Sequence, residues 1–127
     1  MRILLVEPGK RPLLKEIDGS LKSMQEIVGG TIQALYPFEE PVALICNDEG
    51  KLLGLPLNRA LRDKKGRIYD VIAGTFFLCG APEGSDSFES LSHQAAEAFQ
   101  QYFLCSESFL RVHEKILRIR IDSRHDL

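Results

Sequence analysis

The chain is poor in the residues from which catalytic and metal sites are usually recognised. It has three cysteines and three histidines among 127 residues. Cys46, Cys79 and Cys105 lie far apart and form no CxxC spacing, which fits a reducing cytoplasm rather than a disulfide framework. Cys46 and Cys79 sit inside apolar runs and read as small core residues, and a metal site needs closer ligands. His93, His113 and His125 all fall in the C-terminal third with no marked nucleophile beside them, so a Ser-His-Asp arrangement has no support. No apolar run approaches membrane-spanning length, and Met1–Val6 meets Glu7-Pro8 too soon for a secretory signal. Glycine-rich phosphate loops are missing too. Asn47–Lys51 has neither the spacing of a P-loop nor the repeated acids of a calcium loop. Charge of either sign is not in excess: the net value is -2. That argues against tight duplex DNA binding, and the acids are too sparse for a DNA mimic. No repeat, low-complexity tract or linker divides the chain.

What is present describes a globular α+β domain. Hydrophobic residues make up 44% and charged residues 27%, enough to bury a core without staples. One domain over residues 1–127 is expected, with residues 104–127 as a C-terminal extension or edge strand. Arg2 to Glu7 and Leu13 to Ile17 read as a hairpin across Pro8–Pro12. Asp18-Gly19-Ser20 offers caps for a helix whose stripe is Leu21, Met24 and Val28, and Gly29-Gly30 ends it. Thr31–Tyr36 and Val42–Cys46 follow as strands, the second ending in the strong turn Asn47-Asp48-Glu49-Gly50. Leu53–Leu61 is ambiguous, since Leu57, Ala60 and Leu61 have helical spacing. Arg67–Cys79 reads as one long central strand because both faces are mostly apolar, with Gly74 marking a bulge or a close approach. Asp86 and Glu89 suggest a capping box for a helix running to Phe103 along Phe88, Leu91, Ala95, Phe99 and Tyr102. His93 falls outside that stripe and faces solvent. Leu117, Ile119 and Ile121 alternate with Arg118 and Arg120 as in an edge strand, and Arg124–Leu127 should fray. The two-sided apolar strands at Val42 and Arg67 should lie in the middle of one mainly antiparallel sheet, with two principal helices packed on it.

The polar residues Asn47, Glu49, Asn58, Arg59 and Asp70 stand at the ends of the central strands and form the candidate ligand site. Arg59 could fork onto a carboxylate or phosphate, with Asp70 orienting it and the Asn47–Gly50 turn offering backbone N–H groups. Five basic residues between Arg59 and Arg67 would raise the local anion concentration. The same five polar groups could equally form a structural network that ties the long loop to the sheet. No aromatics interleave the basic residues, so stacking on single-stranded nucleic acid is not supported. No catalytic constellation, cofactor or metal set is visible. A non-enzymatic protein that binds a partner or a small anionic ligand is expected. The alternatives are a small enzyme acting on a nucleotide or sugar and a purely structural interaction module.

Several runs together carry a family resemblance. They are Val6-Glu7-Pro8-Gly9, Val28-Gly29-Gly30, Ile45–Lys51, Gly54–Arg59 and Asp70–Phe77. The chain from Met1 to about Phe103 resembles a family of uncharacterised small domains from phages, conjugative elements and gut Firmicutes. The resemblance implies a bacterial or phage cytoplasm and mobile-element cargo, and it marks the same five polar positions. It implies no activity.

Overall fold

The computed structural model describes residues 1–112 and 115–119. Its principal sheet has five antiparallel strands in the order β2-β1-β7-β4-β3. These are β1 (Arg2–Val6), β2 (Leu13–Glu16), β3 (Ile32–Leu35), β4 (Val42–Asn47) and β7 (Phe76–Gly80). β5 (Leu57–Arg62) and β6 (Ile68–Ala73) form a separate two-stranded sheet, and β8 (Ser108–Val112) and β9 (Lys115–Ile119) form another. The helices are α1 (Leu21–Val28) and α2 (His93–Tyr102). Among the described residues no helix is long and apolar enough to cross a membrane.

The pleat of the central strands divides the core into two layers. Ile3, Leu5, Ala43, Ile45, Phe77 and Cys79 face α1, where Met24 and Val28 meet them. Leu4, Val6, Leu44, Cys46, Phe76 and Leu78 face the other way, towards Phe99 and Phe103 of the α2 region and Leu61 and Ile72 of the β5–β6 sheet. Each large side chain so buried contributes about 1.5–3 kcal/mol. β4 and β7 are buried along their whole length, which is why both read as apolar on two faces.

The long strand expected over Arg67–Cys79 is broken, and the break organises the fold. Gly74 takes φ 85° and its N–H donates to Pro56 O at 2.6 Å. A left-handed residue cannot continue a strand. The half after it, β7, lies between β1 and β4 at the centre of the principal sheet, as expected for this run. The half before it, β6, leaves that sheet and pairs with β5 over the α2 face. The helical turn considered for Leu57–Leu61 is therefore strand β5, because its apolar residues meet β6 and the core beneath. The second helix starts later than the Asp86–Glu89 box suggests. Ser92 is its N-cap and accepts from Ala95 N at 3.1 Å, while Glu89 bridges to Gly80. His93 is exposed. The described residues beyond Leu104 include the hairpin pair β8–β9, and Leu117 and Ile119 lie in its second strand. Ile121, Arg124–Leu127, His113 and His125 lie outside the described residues.

Candidate functional site

Asn58 and Arg59 are consecutive residues of β5, yet both are buried. A register shift in the β5–β6 ladder between Leu57 and Arg59 makes this possible, since a bulge turns two neighbours inwards. Asn58 Nδ2 donates to Val6 O and to Gly74 O, both at 2.9 Å. Arg59 Nη1 donates to Asn58 Oδ1 at 2.8 Å and to Asn58 O at 3.4 Å. Arg59 Nε and Nη2 reach Phe103 O at 3.2 and 3.0 Å, and Nη2 also donates to Lys10 O at 2.7 Å. Phe103 is the C-cap of α2, so the guanidinium satisfies one of the carbonyls a helix end leaves unpaired. Burial pushes the Arg59 guanidinium below its ordinary pKa, and the Glu107 charge opposes that shift. The five N–H groups of Arg59 are thus spent on neutral protein oxygens.

Asn47, Glu49 and Asp70 come together elsewhere. Asn47 is buried at the end of β4; its Nδ2 donates to Val28 O at 3.1 Å, and its Oδ1 accepts from Glu49 N at 2.8 Å. The turn it organises lies hard against β6: a Cβ on Gly50 would stand 2.6 Å from Ala73 O. Asp70 pairs with Lys51 across this junction and accepts from Val71 N at 2.8 Å. Asn47, Glu49, Lys51 and Asp70 line a cleft of about 250 Å³ together with Gln33 and Leu35 of β3. Asp48 also lines it, so three carboxylates face one ammonium. Burial, and then the Asp70 and Asp48 charges, raise the Cys46 thiol beside it to about 11.

The structure therefore separates the five expected site residues. Asn47, Glu49 and Asp70 share the cleft, whereas Asn58 and Arg59 form an internal node. The expected orientation of Arg59 by Asp70 is not made, because Asp70 holds Lys51 and Arg59 holds carbonyls. The basic loop is partly committed, its backbone through Asp63 and two of its side chains through ion pairs. Asp63 Oδ1 accepts from Lys65 N and Arg67 N at 2.9 Å, Lys64 pairs with Glu39, and Arg62 pairs with Glu107.

Two features went unread in the sequence. Glu107 accepts from Ala60 N at 2.8 Å and from Arg62 and Arg118, clamping β5 to β9. Burial pushes its carboxyl up, but those hydrogen bonds outweigh burial and hold it below the usual range. A lone glutamate in a polar run carries no signal for this role. The second feature is the edge of the principal sheet at β3. Asp48 N donates to Thr31 O at 2.9 Å, so Thr31, and by alternation Gln33 and Leu35, turn their peptide groups towards β4. Ile32, Ala34 and Tyr36 turn theirs outward, where they meet no backbone partner among the described residues. The opposite edge is blunted. Ile17 N donates to Met1 O at 2.9 Å, which leaves Leu14 and Glu16 outward on β2, beside Pro12 without an N–H and between charged side chains. β3 has no proline and no charge.

A cavity flanks β3 on each face of the sheet. Gln33 and Leu35 border the acidic cleft. On the α1 face, Ile32 and Tyr36 border a groove of about 510 Å³ walled by Leu21, Met24, Ala81 and Phe88. An open edge between two cavities is the geometry of strand addition, in which main-chain bonds hold an extended segment and alternate side chains enter pockets. A family model described as a domain of unknown function (DUF3846) matches residues 1–104. The chain belongs to that family, and the β8–β9 hairpin follows the matched region. Comparison with curated proteins and with solved structures gave no match.

Proposed function

We propose that this chain is a non-enzymatic accessory protein that binds a protein partner by taking an extended segment of it as a sixth strand beside β3. The carrying observation is the row of outward peptide groups at Ile32, Ala34 and Tyr36, uncharged and unblunted between two cavities. Asn47, Glu49 and Asp70 act in this reading as walls of one side-chain pocket, while Asn58 and Arg59 hold the scaffold. A protein partner is favoured over a small anion because Arg59 is internally committed and the cleft is acidic. The sequence resemblance supports a bacterial or phage cytoplasm and a mobile element as the setting.

Selection from a displayed library of random peptides tests the proposal. Peptides enriched on the wild-type chain should bind Ala34→Pro about tenfold more weakly or worse, because proline removes an outward N–H that no β4 residue uses. Tyr36→Pro, at the next outward position, should do the same. Enriched peptides that bind both variants as well as wild type would overturn the proposal, and so would a library that yields none.

A further inference from the structure

The chemistry of the two cavities specifies what the sixth strand must look like. A strand beside β3 sends successive side chains to opposite faces of the sheet. One face meets Asp48, Glu49 and Asp70 against Lys51, and suits basic side chains. The other meets Leu21, Met24, Ile32 and Phe88, and suits apolar ones. The occupant is an extended segment in which basic and aliphatic residues alternate. A slip of one residue would place aliphatics against the carboxylates, so the pattern also sets the register.

This chain carries such a segment. Leu117-Arg118-Ile119-Arg120-Ile121 alternates aliphatic and basic residues without interruption. Its described part belongs to β9, which pairs with β8 on one edge and with no strand on the other among the described residues. A two-stranded hairpin is marginal alone in water, and a third strand is the usual remedy. Charge is divided in the same sense. After Glu107 the chain has five basic and three acidic residues, in a chain whose net charge is -2. The C-terminal hairpin region is basic and the β3 cleft is acidic.

We infer that the β9 strand of a second copy of this chain occupies the β3 edge, an inference that rests on the strand-addition reading above. The contact joins β9 of one copy to β3 of another and leaves β8–β9 pairing intact, but Arg118 must exchange its own Glu107 for the carboxylates of the cleft, while Arg62 and Ala60 N stay on Glu107. It explains why β3 is left unblunted while β2 is protected: β3 is an interface.

Sedimentation velocity of the full chain from nanomolar to high micromolar concentration tests the inference. Self-association should appear, weaken at high salt and vanish in Ala34→Pro and Tyr36→Pro, whose melting and circular dichroism stay close to wild type. A labelled peptide of residues 115–121 should bind the dilute wild-type chain, and a peptide with both arginines changed to glutamate should bind about tenfold more weakly or worse. Self-association that survives both proline variants would overturn the inference. A chain that stays monomeric and ignores the 115–121 peptide would also overturn it. In that second case library peptides sensitive to Ala34→Pro would leave strand addition standing, whereas their absence would remove both.

Discussion

Replacing Arg59 by alanine should unfold a large fraction of the domain's stability rather than abolish a binding event. The guanidinium fills a fully buried position and serves Phe103 O, Lys10 O and the carbonyl oxygens of Asn58. Alanine leaves those acceptors buried without a donor, at about 1–3 kcal/mol for each that stays dry. It also opens a cavity under α2, while relieving the desolvation of a charge that has only neutral oxygens in contact. Summed over the acceptors that stay dry and set against that relief, the loss from Arg59→Ala should be about 3–5 kcal/mol. A domain of this size has about 5–15 kcal/mol to lose. The melting temperature should drop by roughly 10–20 °C, scaled from typical unfolding entropies. Arg59→Lys should recover little, because an ammonium has three donors where the site uses five. Urea unfolding followed by circular dichroism, with the slope checked against wild type, measures the loss. A variant within about 1 kcal/mol of wild type would refute the reasoning. It would mean that water enters the node and satisfies the carbonyls.

Further outcomes follow from the same contacts. Gly50→Ala should cost about 2–4 kcal/mol in the same assay, because its Cβ would lie 2.6 Å from Ala73 O and backbone has to move. Asp70→Asn should cost less than about 1 kcal/mol, since the Lys51 pair is partly solvated. Glu107 is held below its usual pKa in the folded state, so its contribution is present above the unfolded value and fades as pH falls through the folded one. Glu107→Gln should therefore be less stable than wild type at neutral pH, and the gap should narrow in acid. A gap that is constant or widens on acidification would contradict that assignment.

Much of the fold was legible because it rests on local chemistry. The Pro8–Pro12 hairpin, the Ser20 cap, the Gly29 stop and the Asn47 turn all occur where the residues demand them. Burial on two faces marked β4 and β7 as inner strands. The division of Arg67–Cys79 was harder to see, since Gly74 is one residue in an apolar run and both halves stay buried. What decides is tertiary: β5 is available to pair with β6. Asp86–Glu89 has the letters of a helix cap, but Glu89 is drawn into a bridge with Gly80, so α2 starts later than those letters imply. For the site, residue type alone did not separate roles. Asn58-Arg59 and Asn47–Gly50 look alike as polar runs, yet a bulge buries the first pair and a turn leaves part of the second at a cleft. An open sheet edge leaves no mark in residue types and emerges only from strand order.

Residue-resolved amide exchange tests the open edge most directly. In dilute protein, the β3 amides of Gln33 and Leu35 should be protected and those of Ile32, Ala34 and Tyr36 should exchange fast, because only the first pair turns towards β4. Raising the protein concentration, or adding a library-selected peptide, should protect the three outward amides and leave the inward two unchanged. Outward amides already protected in dilute monomer, or still unprotected in a saturated complex, would contradict strand addition at β3.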